Sequence, residues 1–398
     1  MDVLISGASV AGPVLAYWLH RRGFRPVVVE RTPELRVGLG GHAVDLFAPA
    51  MTVADRMGLV PALRESGTRT GTLVLERDGR RATEIRLDTL VPALGADRHV
   101  EVMRGDLTTL LHRATRDDVE YVFGDSVATL AEDTSGVDVT FESGTRRRFA
   151  LVVGADGLHS RIRELAFGPE RRFTRYLGGY LAVFSLPDYR GLEGRTLLYN
   201  GVNRMAVLYP VHRTGQARAV LLFRRARETA AHHRDREAQL RLVREEYAVE
   251  GWEVPRLLRE MSGADDFYLD SISQVHLPSW SKGRVTLVGD AGYSPGPAVG
   301  GGTTLAMVAA YVLAHSLASA PGDHAAAFAD YEARIGDYVR RCREAAPRAL
   351  RNGVPRSATQ RAVSEASLRL LPRLPGWLSG RLLSRGVSAA LSAFTLPD

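Results

Sequence analysis

The sequence predicts an α/β protein. A Rossmann-like nucleotide-binding domain is interrupted by an inserted antiparallel β-sheet domain and followed by C-terminal helices. Three observations carry this. The chain opens as strand, glycine turn, helix and strand, with Gly7 and Gly12 in the turn. A second strand–loop–helix pattern lies far downstream, where the valine-rich residues 284–288 run into Gly289-Asp290 and a Pro/Gly loop. Between them lie short strands separated by polar turns, the pattern of an antiparallel sheet.

Residues 3–6 read as a short buried strand, 10–22 as a helix ended by Gly23, and 26–30 as the next strand. Residues 73–87 read as a hairpin around Asp78-Gly79, and 137–153 as another turned at Ser143-Gly144. Residues 195–200, 204–210 and 218–224 are strand-like. Residues 228–250 form a charged helix with Leu240, Val243 and Tyr247 on one face, and His232-His233 on it reads as solvated. Residues 303–320 carry no Asp, Glu, Lys or Arg, yet their alanines, serines, threonines and His315 favour a buried helix over a membrane span. Phe328, Tyr331, Ile335 and Tyr338 then recur at helical spacing, and Pro347 is expected to end that helix. The predicted division is a nucleotide domain in three pieces (1–72, 101–176, 276–346), a hairpin at 73–100 lent to the substrate sheet, the sheet itself at 177–275, and C-terminal helices at 347–398.

A chain of 398 residues fits about two domains, and 45% hydrophobic with 24% charged residues is a globular composition. Cys342 is the sole cysteine, which excludes an intrachain disulfide and a cysteine-rich metal site. No spaced His/Cys/carboxylate cluster argues for a metal either. A reducing cytoplasm is the expected compartment, and a strand at the first residues leaves no room for a signal peptide. The formal charge of +7 comes from arginine, Lys282 being the one lysine. A basic surface can attract anionic cofactors, but no nucleic-acid motif accompanies it. The expected partners are a small organic substrate and dioxygen, with the chain a monomer or homodimer.

The chemistry-bearing motifs are two anion cradles. Gly7-Ala8-Ser9-Val10-Ala11-Gly12 departs from G-x-G-x-x-G at Ser9, a residue small enough to be tolerated and able to hydrogen-bond. Glu30 ends the second strand, where a carboxylate can accept from ribose hydroxyls. Gly289-Asp290-Ala291-Gly292-Tyr293-Ser294-Pro295-Gly296-Pro297-Ala298-Val299-Gly300-Gly301-Gly302 is the second cradle. Two phosphate-type sites far apart in sequence suit one extended flavin dinucleotide.

The opening motif, continued through Ala16, Leu19, Gly23 and Glu30-Arg31, resembles the class A flavoprotein monooxygenases, whose type member is para-hydroxybenzoate hydroxylase. Gly154-Ala155-Asp156-Gly157-Leu158-His159-Ser160-Arg161-Ile162-Arg163 resembles that family's second signature, and residues 289–306 its third. Size and layout are similar to the tetracycline-inactivating members. The resemblance implies FAD held by Gly7, Ser9, Val10, Ala11, Gly12, Glu30, Arg31, Arg104, Asp156, Gly157, Gly289, Asp290, Pro297, Gly300, Gly301 and Gly302. It also implies NADH or NADPH as reductant, and transfer of one oxygen atom from a flavin C4a-hydroperoxide to an aromatic or polyketide-like substrate. No catalytic triad is expected. Tyr293 and Thr304 stand where many members have histidine and asparagine, and Tyr293 is a candidate for altering active-site polarity. The loop Gly38-Leu39-Gly40-Gly41-His42-Ala43-Val44-Asp45 is expected over the flavin edge, with His42 and Asp45 as candidate polarising groups. Substrate contacts are expected from Tyr199, Met205, Tyr209 and Phe223, with Arg204 and His212 as further candidates.

Three alternatives remain open. A halogenase of the same fold lacks support, because its Trp-x-Trp-x-Ile-Pro motif is absent and Lys282 is badly placed. A reductase or dehydrogenase would share the cofactor without oxygen transfer. The tail, where Arg361, Arg369, Arg373, Arg381 and Arg385 interleave with leucines and Trp377, could serve a membrane surface or a partner, although packing across the two domains accounts for it as well.

Overall fold

The computed structural model describes residues 1–35, 41–77, 80–86, 99–229, 235–297, 300–370 and 391–398. The Gly38–Gly40 part of the flavin-edge loop, the Asp78-Gly79 turn, His232-His233, Ala298-Val299, Arg373, Trp377, Arg381 and Arg385 lie outside them.

A six-stranded sheet forms the first layer, in the order Ser281–Lys282, Val285–Leu287, Leu151–Gly154, Asp2–Ser6, Arg25–Glu30, Glu120–Phe123. All but the two-residue edge pair run parallel. Its central strands are buried on both faces, as the runs of Val, Leu and Ile demand. Helix Ala11–Arg21 and the apolar helix Gly302–Ser319 pack together beside it. The latter is long and apolar enough to cross a membrane, but it is buried over most of its length as the core helix of this domain.

The register puts three strand ends side by side. Ser6 pairs with Gly154, and Gly154 with Leu287. Hydrogen bonds Ala155 N to Ser6 O and Val288 N to Gly154 O, both 2.8 Å, continue the alignment one residue past the strands. The turns at Gly7, Ala155–Gly157 and Gly289 therefore converge, although they are separated by more than a hundred residues in sequence.

The second layer is a seven-stranded sheet in the order Tyr268–Val275, Thr174–Pro187, Gln216–Arg224, Arg204–Val211, Arg195–Gly201, Thr72–Arg77, Arg80–Arg86. Helices Arg236–Tyr247 and Val254–Gly263 cover one face, burying Leu240, Val243, Tyr247, Leu257 and Met261 against Ala206, Leu208, Leu221 and Phe223. On the other face Leu181, Val183, Leu222 and Ile272 meet Leu350 and Val354 from the C-terminal part of the chain.

Two expectations are corrected and two elements are added. Residues 151–153 are not part of a hairpin: Val137–Phe141 pairs with Arg146–Phe149, and Leu151–Gly154 leaves to join the parallel sheet. The long strand Thr174–Pro187 and helix Val254–Gly263 are additions to the elements expected from the sequence. The strand is broken by a bulge at Tyr176/Tyr180, where Gly178 takes φ +88°, and this destroys its period-two pattern. Pro347 does not end the long helix, which runs from His324 to Gly353. Burial of Ala346 and Leu350 holds the helix past the proline, and Arg224 donates to the carbonyls of Leu350 and Val354 at its end. The tail does reach both domains. Arg77 pairs with Glu365 at 3.5 Å on the sheet hairpin, while Tyr338 donates to Leu391 O at 2.6 Å in the nucleotide domain.

Candidate functional site

Gly7 takes φ +112°, and a β-carbon there would lie 2.5 Å from Ala155 O. A β-carbon at Gly12 would overlap Gly7 O. These two positions need glycine because two turns and a helix start are pressed together. Helix Ala11–Arg21 then begins at Val10 with no side-chain cap, so the N–H groups contributed by Val10, Ala11 and Gly12 have no capping side chain to satisfy them. An anion is the partner such an end favours.

Ser9 gives its departure from glycine a use, since its hydroxyl accepts from Arg104 Nη2 at 3.0 Å. The guanidinium is thereby held beside the cradle. Glu30 Oε2 accepts from Ala8 N at 3.0 Å, and Oε1 accepts from Thr32 N and Oγ1 at 3.1 and 3.0 Å. It braces the turn as well as facing the site. A cavity of about 820 Å³ runs along this surface, lined by Gly7, Ser9, Glu30, Arg31, Arg104, Asp156 and Gly157 among others. Close-approach glycines, an uncapped helix start, a carboxylate at the second strand end and a cavity of this volume fit an extended dinucleotide.

Asp156 lies in the cavity wall, but its oxygens are largely used within the protein. Oδ2 accepts from Arg161 N and Ile162 N at 2.8 and 3.1 Å, and Oδ1 from the Ser160 hydroxyl, so it anchors the start of helix Arg161–Phe167. Burial raises its pKa. Gly157 takes φ +80° in the turn that follows. His159, not singled out as a functional residue in the sequence, bridges the two domains. Its Nδ1 meets Glu170 at 3.0 Å and its Nε2 meets Asp270 of the sheet domain at 3.0 Å. Burial alone would lower its pKa, but the two carboxylates outweigh it and push it to about 9.

A folded pKa above the unfolded value of about 6.5 means that His159 stabilises the fold fully below pH ~6.5, and that the contribution is lost as pH rises through ~9. The shift corresponds to roughly 3 kcal/mol. Wild-type Tm is therefore expected to fall faster than that of His159→Gln between pH 7 and pH 10. Parallel Tm–pH curves in thermal denaturation would count against the bridge.

At the second cradle Gly289 takes φ +68° and Asp290 starts the short helical turn Asp290–Tyr293. Burial raises the Asp290 pKa, while Arg104 opposes that rise. Arg104 therefore serves both cradles. Gly301 caps helix Gly302–Ser319 without a side-chain bond, leaving a second uncapped start. A β-carbon at Gly301 would overlap Leu391, one at Gly302 would stand 3.7 Å from Asp290 Oδ1, and one at Gly300, where φ is +69°, would stand 3.2 Å from Asp45 Oδ2. Pro297 precedes this stretch and is half-buried.

Asp45 therefore stands beside the Gly300 turn. It lies in strand Ala43–Leu46, paired with Val100–Met103, and its Oδ1 meets His99 Nε2 at 2.8 Å. Thr304 locks that strand to the helix start, donating to Asp45 O at 3.1 Å and accepting from Phe47 N at 3.0 Å. His42 immediately precedes the strand. Burial, Arg104 and Arg218 push its pKa to about 4, so it is neutral at physiological pH.

The sheet candidates divide by face. Tyr209 is on the site side, where its hydroxyl accepts from Ala43 N at 2.8 Å, and half-buried Met205 shares that face. Tyr199 and Phe223 are corrected: both lie on the helix-covered face. Tyr199 donates to Glu250 at 2.8 Å and stacks on Trp252 at 5.3 Å, and Phe223 packs on Tyr180 and Tyr247. Arg204 belongs to that face too, with Glu250 at 3.3 Å, while His212 is exposed in a turn. Tyr293 is also corrected. It is completely buried behind the site, its hydroxyl 2.6 Å from Tyr331 and its ring against Trp280.

The family model described as an FAD binding domain matches residues 1–352. The Mycobacterium tuberculosis protein Rv1260 is 43% identical over 343 residues, covering 85% of this chain and 91% of its own length. A flavin-dependent monooxygenase of Legionella longbeachae is 35% identical over 348 residues, covering 85% and 86%. The crystal structure of the tetracycline destructase Tet(55) superposes with a TM-score of 0.84 at 32% identity, covering 100% of this chain and 98% of that one.

Proposed function

The chain belongs to the class A FAD-dependent monooxygenases, and on that premise we propose that it uses NADH or NADPH and dioxygen to insert one oxygen atom into a medium-sized aromatic or polyketide-like substrate. Natural-product tailoring or antibiotic inactivation in the cytoplasm is the role we favour, in keeping with the similarity to a tetracycline destructase. The observation that carries the reading is the convergence of Gly7, Asp156 and Gly289-Asp290 at three adjacent strand ends.

Bound FAD supplies the redox chemistry; the protein's task is to hold, polarise and enclose. The two uncapped helix starts and Arg104 would hold the cofactor's phosphates and favour negative charge on the bound group. Asp290 would offer acceptors to hydroxyls of the bound cofactor. His42, kept neutral, adds no positive charge. Tyr209 and Met205, on the sheet face opposite the covering helices, would help keep water from the bound group. The halogenase alternative gains nothing, since Lys282 Nζ donates to Ala166 O at 2.8 Å on the far edge of the nucleotide sheet.

The test is isotopic. Holoenzyme with NAD(P)H and ¹⁸O₂ is incubated with a panel of hydroxylated aromatics and tetracycline, and products are read by mass spectrometry. One ¹⁸O atom per product supports oxygen insertion. Substrate oxidation without incorporated label would move the assignment to a dehydrogenase.

A further inference from the structure

Gly301 stands in the second cradle, at the start of helix Gly302–Ser319, with φ −109° and ψ 3°. Residues other than glycine adopt that backbone. Gly289 and Gly300 differ, taking φ +68° and +69°, where the turn itself calls for glycine. What forbids a side chain at Gly301 is a distant segment of the chain. A β-carbon there would overlap Leu391 Cδ2 and stand 2.5 Å from its Cδ1 and 2.8 Å from its Cγ, and these three atoms are the nearest neighbours. Leu391 is fully buried, so its side chain has no free space to swing into.

Leu391 is held in place by its own segment. Tyr338, on helix His324–Gly353, donates to the Leu391 carbonyl at 2.6 Å, and its ring meets Phe394 at 5.0 Å. Arg341 of the same helix donates to Ala393 O at 2.8 Å. Farther along, Pro397 O accepts from Arg56 Nη1 at 2.7 Å and from the Tyr311 hydroxyl at 3.0 Å. Arg56 ends helix Ala48–Arg56, which follows the Asp45 strand, and Tyr311 lies on the helix that starts beside Gly301. From Gly301 to Tyr311 is about 15 Å of helix, a distance that the chain from Leu391 to Pro397 spans. Residues 391–398 therefore form a strap along that helix, tied to three helices, with Leu391 seated on the cradle glycine.

We propose that Leu391 is a positioning residue for the cofactor, acting through Gly301. Its side chain sets how the Gly301 turn sits, and so where the first N–H groups of helix Gly302–Ser319 point. That helix start has no side-chain cap, so those groups take their aim from the backbone alone. A void under the turn lets it sink toward the strap and added bulk lifts it away; a displacement of about 0.5 Å either way is enough to spoil a binding geometry. The proposal rests on the reading of the second cradle as part of the FAD site.

The test is a size swap, read by FAD titration of the apoproteins, with circular dichroism to show that each variant is folded. Gly301→Ala is expected to weaken FAD binding roughly 10- to 100-fold, the range for overpacking. Leu391→Ala removes Cγ, Cδ1 and Cδ2, the three atoms in the way, and is expected to weaken binding roughly 3- to 10-fold, part of the cost of the void it leaves. The double variant puts the added methyl into the emptied space and is expected to bind FAD roughly 10-fold more tightly than Gly301→Ala alone, a coupling that independent sites do not show. Leu391→Met keeps the volume and is expected to hold wild-type affinity. Phe394→Ala loosens the same strap away from Gly301; it is expected to lower Tm and leave FAD affinity within about twofold of wild type, as a site that does not touch the turn should. A double variant no better than Gly301→Ala, unchanged affinity in Leu391→Ala, or an equal loss in Phe394→Ala each overturns the proposal. If Gly301→Ala fails to fold, the comparison of Leu391→Ala, Leu391→Met and Phe394→Ala decides by itself. Wild type that binds no FAD contradicts the reading of the cradle, whereas wild-type binding left unmoved by Leu391→Ala contradicts this proposal alone.

Discussion

Replacing Gly12 with alanine is expected to yield a protein that no longer retains FAD. The added β-carbon would overlap Gly7 O, a backbone atom of the same turn, and no side-chain rotation relieves that. Either the helix start or the Gly7 turn has to move. Gly7 is itself confined, since its φ of +112° and the nearby Ala155 oxygen fix its place against the second signature. Movement there misaligns the N–H groups that face the pyrophosphate. A loss of about 3 kcal/mol, the upper part of the usual overpacking range, corresponds to roughly 100-fold weaker FAD binding. Gly23 is the control, with φ +82° and no atom within 4 Å of where a β-carbon would stand. Gly23→Ala is expected to cost about 1 kcal/mol of stability through backbone strain and to retain its flavin. Flavin content after purification and FAD titration of the apoproteins measure both. Normal FAD affinity in Gly12→Ala would show that this turn is not the cofactor cradle.

Asp290→Ala is expected to weaken FAD binding by roughly 10- to 100-fold, the range for losing one or two hydrogen bonds to a charged acceptor. Its backbone position, set by Gly289 at φ +68°, does not depend on the side chain, so the fold is expected to survive. The positive charge of Arg104 also acts on Asp290 and opposes the rise of its pKa. Asp290→Asn retains an acceptor but not the charge, and is expected to fall between alanine and wild type. Fluorescence titration with FAD, alongside far-UV circular dichroism, separates lost binding from lost structure. Wild-type affinity in Asp290→Ala would remove this aspartate from the cofactor site.

The nucleotide half of the site is legible in the sequence because its requirements are local. A strand that ends in glycine and turns into a helix has few alternatives, and Gly7, Gly12 and Gly289-Asp290 each sit in such a turn. The substrate half is not legible, for a reason of parity. The middle strands are buried on both faces, one packed by helices and the other by Leu350, Val354 and strand Ala43–Leu46, so alternation alone does not say which set points where. Tyr199 and Phe223 fall on the helix-covered side, while Tyr209 and Met205, of opposite parity, fall on the other. Tyr293 occupies a signature position yet faces backward into Trp280 and Tyr331. The groups that sequence reasoning misses, His99, His159 and Asp270, gain their meaning from partners 54 and 111 positions away. Helix His324–Gly353 passes through Pro347 because tertiary burial overrides the local breaker.

The central claim, that this fold houses a flavin reduced by a nicotinamide nucleotide and reoxidised by dioxygen, is tested most directly by one absorption experiment. Holoenzyme is made anaerobic, NADH or NADPH is added with a candidate substrate, and air is then admitted. The account predicts a bound-flavin spectrum that bleaches, faster when a true substrate is present, and recovers in air. A flavin that binds but stays oxidised until a separate reductase is supplied would contradict it.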